Sequence, residues 1–242
     1  MRTILVVLYL VLYFIITIPI LLVELIIGKF NRHAKVTSSQ KIVAFNFKII
    51  LWLTGTKITA KGIENIPKNQ PVLFVSNHRG FADIPVAYTT IPINVGFVAK
   101  KEMEHIPGLS WWMKLINCLF LDRENIKEGL KTILKGINYI ENGYSMFIFP
   151  EGTRNQGDEL LTFKQGSFKM AEKTGCPIIP VAFSNTDAVF EHQQPWVKKA
   201  HVIVEYGKPI DINTLSKEAR KNLGSMVQEI VSEMIQANNK LI

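Results

Sequence analysis

Only two of the 242 residues are cysteine, Cys118 and Cys176, and they lie far apart in the chain. That excludes a disulfide framework and the paired-cysteine spacing of a metal site, and gives no reason to place the chain in an oxidising compartment. Internal repeats, low-complexity tracts and any mark of a second globular domain are missing as well. Acidic residues are scarce, 20 against 28 Lys and Arg, so the net charge is +8 before any histidine is charged. Such a surplus favours anionic partners: phosphorylated small molecules, anionic lipid surfaces or nucleic acid. The basic residues do not interleave with aromatics in a nucleic-acid-binding motif, which sets the last class aside. There is no Gly-x-Ser-x-Gly elbow either. Ser145, in Gly143-Tyr144-Ser145-Met146-Phe147, lacks the second glycine, so a serine-hydrolase reading loses ground.

Charge is also missing from Thr3 to Val23, where Ile, Leu, Val, Tyr and Phe dominate. A helix of about twenty such residues covers roughly 30 Å, the thickness of a bilayer's hydrocarbon core. The stretch predicts membrane insertion, with Pro19 tolerated there. A cleaved signal peptide would need a shorter apolar run and small residues near Glu24 to Phe30; a buried core helix is the other alternative, set against a segment that is terminal and apolar on every face. Arg2 precedes the segment and Lys29, Arg32 and Lys35 follow it, which leans toward a body on the cytoplasmic side of a cell membrane. A second apolar run, Ile42 to Leu53, is too short to span. Lys41, Ala44 and Lys48 give it a narrow polar stripe, and Trp52 sits near its end. It reads either as a helix lying in the membrane interface or as one packed on the globular body. Residues 1–54 are thus predicted to be membrane-anchoring helices, transmembrane or interfacial, and residues 55–242 one globular domain.

After Gly55 the pattern alternates. Strand-like runs occur at Lys57-Ala60, Val72-Val75, Val95-Ala99, Leu119-Asp122, Tyr144-Phe149, Ile178-Ala182 and His201-Tyr206. Ile126, Leu130, Ile133, Leu134, Ile137 and Ile140 recur at helical spacing, with Gly143 as a stop signal, and Leu215 to Ala237 predicts a closing helix. The fold class is α/β: a single domain with a largely parallel or mixed sheet covered by helices.

One short run carries chemistry: Ser76-Asn77-His78-Arg79-Gly80-Phe81-Ala82-Asp83, directly after the apolar run Val72-Val75. On one helix, residues five apart are rotated by about 140° and face different ways. For His78 and Asp83 to be partners, a helix must begin between them. Asp83-Ile84-Pro85 fits that start, since Asp favours an N-cap and Pro a first turn. A histidine on a strand-to-helix turn, oriented by a carboxylate, suits a general base. The other four histidines, His33, His105, His192 and His201, read as structural.

Three further segments stand at fitting distances: Phe120-Leu121-Asp122-Arg123, Phe149-Pro150-Glu151-Gly152-Thr153-Arg154 and Pro177-Ile178-Ile179-Pro180-Val181. With Asn77-His78-x-x-x-x-Asp83 before them, the chain from about residue 57 to 210 resembles the membrane-bound glycerolipid acyltransferases, in particular the 1-acyl-glycerol-3-phosphate acyltransferases. One departure is Asn155, where many members carry Ser. The resemblance implies an enzyme that moves an acyl group from a thioester, acyl-CoA or acyl carrier protein, to the sn-2 hydroxyl of lysophosphatidate, making phosphatidate for phospholipid biosynthesis. His78 would be the base and Asp83 the carboxylate that fixes its tautomer, with the substrate's alcohol as nucleophile and no acyl-enzyme. Arg123 and Lys100 would lie by the acceptor's phosphate, a role suited to fixed cationic donors. Lys101 reads as a solvated neighbour. Glu151 would hold glycerol hydroxyls and Arg154 add positive charge, although these two equally fit a plain turn ion pair. Gly152 permits a backbone turn closed to other residues, and the exposed amides around Thr153 suit a phosphate or a developing oxyanion. No metal or prosthetic group is implied. Another acceptor, such as glycerol 3-phosphate or a different lysophospholipid, and a non-catalytic membrane lipid-binding protein remain as alternatives.

Overall fold

The apolar runs of four to six residues become strands because they are Val-, Ile- and Phe-rich and bounded by turn residues. The computed structural model describes residues 1–242. Seven strands form one mixed sheet: β1 (Lys57–Lys61), β2 (Leu73–Ser76), β3 (Val95–Lys100), β4 (Leu119–Leu121), β5 (Ser145–Ile148), β6 (Ile178–Ser184) and β7 (His201–Tyr206), in the order β1-β7-β6-β2-β5-β3-β4. Every predicted strand is present. All neighbouring pairs run parallel except β6 and β7, which pair antiparallel. The central strand β2 lies between β5 and β6, with Val75 opposite Ile148 and Pro180. Successive side chains of a strand point to opposite faces. Phe74 accordingly joins one buried cluster with Phe147, Ile179 and Phe183, while Leu73 and Val75 join the other with Met146 and Ile148.

Helices cover both faces. On the Phe74 side lie α1 (Arg2–Ile16), α2 (Ile18–Phe30), α3 (Arg32–Thr54), α4 (Asp83–Thr90) and α5 (Leu109–Leu115); on the other lie α6 (Ile126–Glu141), α7 (Lys169–Thr174) and α9 (Leu223–Asn239). The short α8 (Lys217–Lys221) precedes α9, so the closing helix is two pieces parted at Asn222. α6 follows the edge strand β4, and only one flank of its apolar stripe finds sheet to cover. Ile140 is buried there, whereas Ile126, Leu130 and Leu134 face outward.

The N-terminal segment is not the continuous span its hydropathy predicts. The chain breaks at Thr17 and α1 and α2 are bent by 50°; no single helix is long and apolar enough to cross a membrane. The cause is Pro19, which lacks an N–H and whose ring clashes with the carbonyl four residues back. Ile4, Leu8, Val11, Leu12 and Ile15 of α1 are all exposed. α3 extends the predicted 42–53 helix in both directions. It buries Val43 and Leu51 in the body's core and leaves Lys41, Phe45, Lys48 and Trp52 on one outward line. The Arg2 guanidinium donates to the Leu53 carbonyl at 2.9 Å, placing a cation at the C-terminus of α3.

Candidate active site

β2, β3, β4, β5 and β6 run in one direction, so the loops leaving them share one rim. Such a rim is where parallel sheets hold ligands. β2 leads into it through Asn77, whose amide accepts from the Phe183 N–H and donates to the Phe183 carbonyl, both at 2.9 Å. A side chain thus prolongs the β2–β6 ladder and fixes the start of the turn. Next comes His78. Its Nδ1 lies 2.7 Å from Asp83 Oδ2. A carboxylate only accepts, so Nδ1 carries the proton and Nε2 is left as the basic nitrogen. Nε2 makes no hydrogen bond within the protein, and the side chain is 20 % exposed. The ring stacks on Phe149 with centroids 4.0 Å apart and planes 16° apart.

Asp83 is fully buried. Its Oδ2 also accepts the Arg79 N–H at 2.8 Å and the Gly80 N–H at 3.0 Å. The helix begins between His78 and Asp83, as the five-residue spacing requires. Asp83 is however the first helical residue, with Ala82 as N-cap, and its carboxylate reaches back to the turn instead of capping forward. Position five after the histidine therefore matters because it closes a ring of donors around one oxygen.

The loop after β5 is stitched to this turn. Glu151 Oε1 accepts the His78 N–H at 2.9 Å, and its Oε2 accepts from the Leu161 N–H and from Asn155 Nδ2. The Asn155 N–H donates to the His78 carbonyl at 2.7 Å. Both Glu151 oxygens face the protein's own donors, and the side chain is buried. A Glu151–Arg154 pair does not form. Arg154 instead meets Glu191 at 3.3 Å and lies 4.1 Å above the Phe81 ring. Gly152 has φ +77°, and Thr153 beside it is exposed. The N–H groups of Thr153 and Arg154 have no partner in the protein.

Lys100 and Arg123 stand farther along the rim. At about 4.8 Å per strand, β3 lies two strands and β4 three strands from β2, a lateral separation of roughly 10 and 14 Å between the strands that lead into them and the one that leads into His78. Lys100 pairs with Glu102 at 2.6 Å. Lys101 is more than a solvated neighbour: its ammonium binds Asp122 at 2.8 Å, and Asp122 also accepts the Glu124 and Asn125 N–H groups. That pairing holds the Lys101 pKa above, and the Asp122 pKa below, their usual values. Arg123 makes no ion pair; its side chain is exposed, and partial desolvation by its neighbours lowers its pKa.

Sequence reasoning missed the segment after β6. There Thr186 donates to Asp83, Asp187 binds Arg79, and Glu191 accepts the Phe81 N–H at 2.7 Å. These contacts join residues over a hundred positions apart, and no local spacing signals them.

A family model described as Acyltransferase matches residues 57–184, more than half of the chain and the stretch that builds this rim up to the end of β6. The chain belongs to the acyltransferase family. A 1-acyl-sn-glycerol-3-phosphate acyltransferase from Borreliella burgdorferi is 33% identical over 189 residues, 78% of this chain and 76% of that one. Its counterpart from Haemophilus influenzae is 32% identical over 202 residues, 82% of each. The one from Saccharomyces cerevisiae is 31% identical over 192 residues, 78% of this chain and 62% of that protein. The crystal structure of the 1-acyl-sn-glycerophosphate (LPA) acyltransferase from Thermotoga maritima superposes with a TM-score of 0.77 at 26% identity, covering 99% of this chain and 98% of that one. In this acyltransferase the family's match ends at Ser184, two residues before Thr186.

Proposed function

We propose that this acyltransferase acylates the sn-2 hydroxyl of 1-acyl-glycerol 3-phosphate with a thioester donor, making phosphatidate. The observation that carries the reading is His78, whose Nδ1 is held by a buried carboxylate while Nε2 stays open to the rim. Nε2 takes the hydroxyl proton as the oxygen attacks the thioester carbonyl. The tetrahedral intermediate collapses with cleavage of the C–S bond, and the imidazolium returns the proton to the leaving thiolate. The buried Asp83 charge offsets the imidazolium between those steps. Thr153 and Arg154, with their unpartnered N–H groups, offer donors to a phosphate or to the developing oxyanion. Arg123, without an ion-pair partner, and Lys100 supply positive charge for the acceptor's phosphate. Names of relatives support lysophosphatidate as acceptor. Acyl-CoA and acyl carrier protein both fit as donors, and the chemistry needs no metal.

The bilayer is the proposed location. Exposed Ile, Leu and Val side chains of the bent α1–α2 pair, with Phe45 and Trp52 alternating with Lys41 and Lys48 on α3, suit an interfacial seat on the cytoplasmic leaflet. The decisive assay supplies labelled acyl-CoA or acyl carrier protein thioester and a panel of acceptors in mixed micelles. Acyl transfer to lysophosphatidate by the parent, and its loss by at least about 1,000-fold in His78→Ala, is the expected outcome. Equal transfer by parent and variant refutes the base assignment. No transfer with any donor and acceptor leaves a lipid-binding scaffold in its place.

A further inference from the structure

We propose that Thr186 is a positioning residue of the acyl transfer, holding the second oxygen of Asp83 so that the first stays aligned with His78; this rests on the base mechanism above. Asp83 has no cation beside it. Its carboxylate is ordered by hydrogen bonds alone, and the donors divide unequally between the oxygens. Oδ2 receives His78 Nδ1–H, Arg79 N–H and Gly80 N–H, at 2.7, 2.8 and 3.0 Å. Oδ1 receives a single donor, the Thr186 hydroxyl at 2.5 Å. Both side chains are fully buried, so water does not substitute for a missing donor at this site.

The direction of the Thr186 bond follows from charge. An ionised carboxylate accepts only, and Thr186 Oγ1 has no other acceptor, so the hydroxyl proton points at Oδ1. Removing it leaves a buried anionic oxygen without a partner. The carboxylate then relaxes by rotating, and rotation moves Oδ2 away from the imidazole. The loss falls on the step in which His78 gains its proton, and not on acceptor or donor binding. Rigid support exists for the hydroxyl. Thr186 lies two residues beyond the end of β6, which pairs with β2, and Asn77 clamps both strands at Phe183. The segments that leave β2 and β6 therefore carry the two halves of one device, the base and its carboxylate after the first and the carboxylate's anchor after the second.

The test uses the full-length protein in mixed micelles with Thr186→Val, Thr186→Ser and Asp83→Asn, alone and combined. Thr186→Val keeps the volume and deletes the donor. It is expected to lower kcat by about 10- to 100-fold, with both KM values within about twofold of the parent. Thr186→Ser, which keeps the hydroxyl, stays within about threefold. In the Asp83→Asn background, Thr186→Val costs less than about twofold more, because residues acting through one group are non-additive. Parent-like kcat in Thr186→Val overturns the proposal. Equal losses in the serine and valine variants do so too, as does full additivity with Asp83→Asn. Should the valine variant fail to fold, Thr186→Ala beside Thr186→Ser carries the same comparison. The base mechanism is judged separately by His78→Ala, so its failure and that of Thr186 are distinguishable.

Discussion

Gly80 lies where no side chain fits. A Cβ built there falls 2.4 Å from Glu191 Oε2, 2.6 Å from its Cδ and 2.8 Å from Oε1, whereas ordinary contact begins near 3.4 Å. In Gly80→Ala, Glu191 has to retreat by about 1 Å, since ordinary packing tolerates little overlap. It is not free to do so. The carboxylate is buried, accepts the Phe81 N–H at 2.7 Å and meets Arg154. A shift of about 1 Å takes the Phe81 bond beyond hydrogen-bond range. Overpacking costs about 1–3 kcal/mol, and a buried N–H and carboxylate left without each other about 1–3 kcal/mol more. We expect a loss of about 2–6 kcal/mol in urea unfolding at constant m, and a Tm lower by roughly 4–24 °C for a chain of this size. Activity falls with it, because Gly80 N–H is one of the three donors on Asp83 Oδ2. The discriminating arm repeats the substitution in Glu191→Ala, where the obstructing carboxylate is gone and the added cost should drop below about 1 kcal/mol. An unchanged cost in that background, or one below about 0.5 kcal/mol in the parent, refutes the steric reasoning.

Two other outcomes follow from the same rim. Burial, reinforced by the nearby Asp83 charge and only partly offset by the Phe81 N–H and Arg154, raises the Glu191 pKa from its usual 4.5. With the folded-state pKa above the unfolded one, stability from this group is full below 4.5 and is lost as pH rises through the folded value. Glu191→Gln should therefore gain on the parent in denaturant midpoint from about pH 4.5 toward neutrality, and a gap independent of pH contradicts this. Arg123→Ala should raise the acceptor KM at least about tenfold and leave the donor KM within about twofold, as expected for loss of a charge-assisted phosphate contact. The opposite ranking removes Arg123 from the acceptor's phosphate.

How much of this was legible in the chain depends on the range of the physics. Seven apolar runs bounded by turn residues predicted seven strands, and all are present, because strand formation reads locally from side-chain type. The His78–Asp83 partnership was legible for the same reason: both residues sit within one turn, and their spacing demands a helix start between them. Glu151 shows the limit. The family resemblance implied that it holds glycerol hydroxyls, yet both its oxygens face N–H donors of His78, Asn155 and Leu161, two of which no local pattern could bring to it.

The sequence alone determined the fold class and the strand-turn-helix that aims an imidazole from the sheet's rim, since each rests on residues a few positions apart, and the family, through four motifs read in order along the chain. Tertiary structure alone decided that β7 reverses against β6 and that Thr186 and Glu191 close around the His78–Asp83 turn. Those features depend on which strands become neighbours. Neighbour choice is set by burying both faces of one sheet at once, a condition that no short stretch of the chain can express.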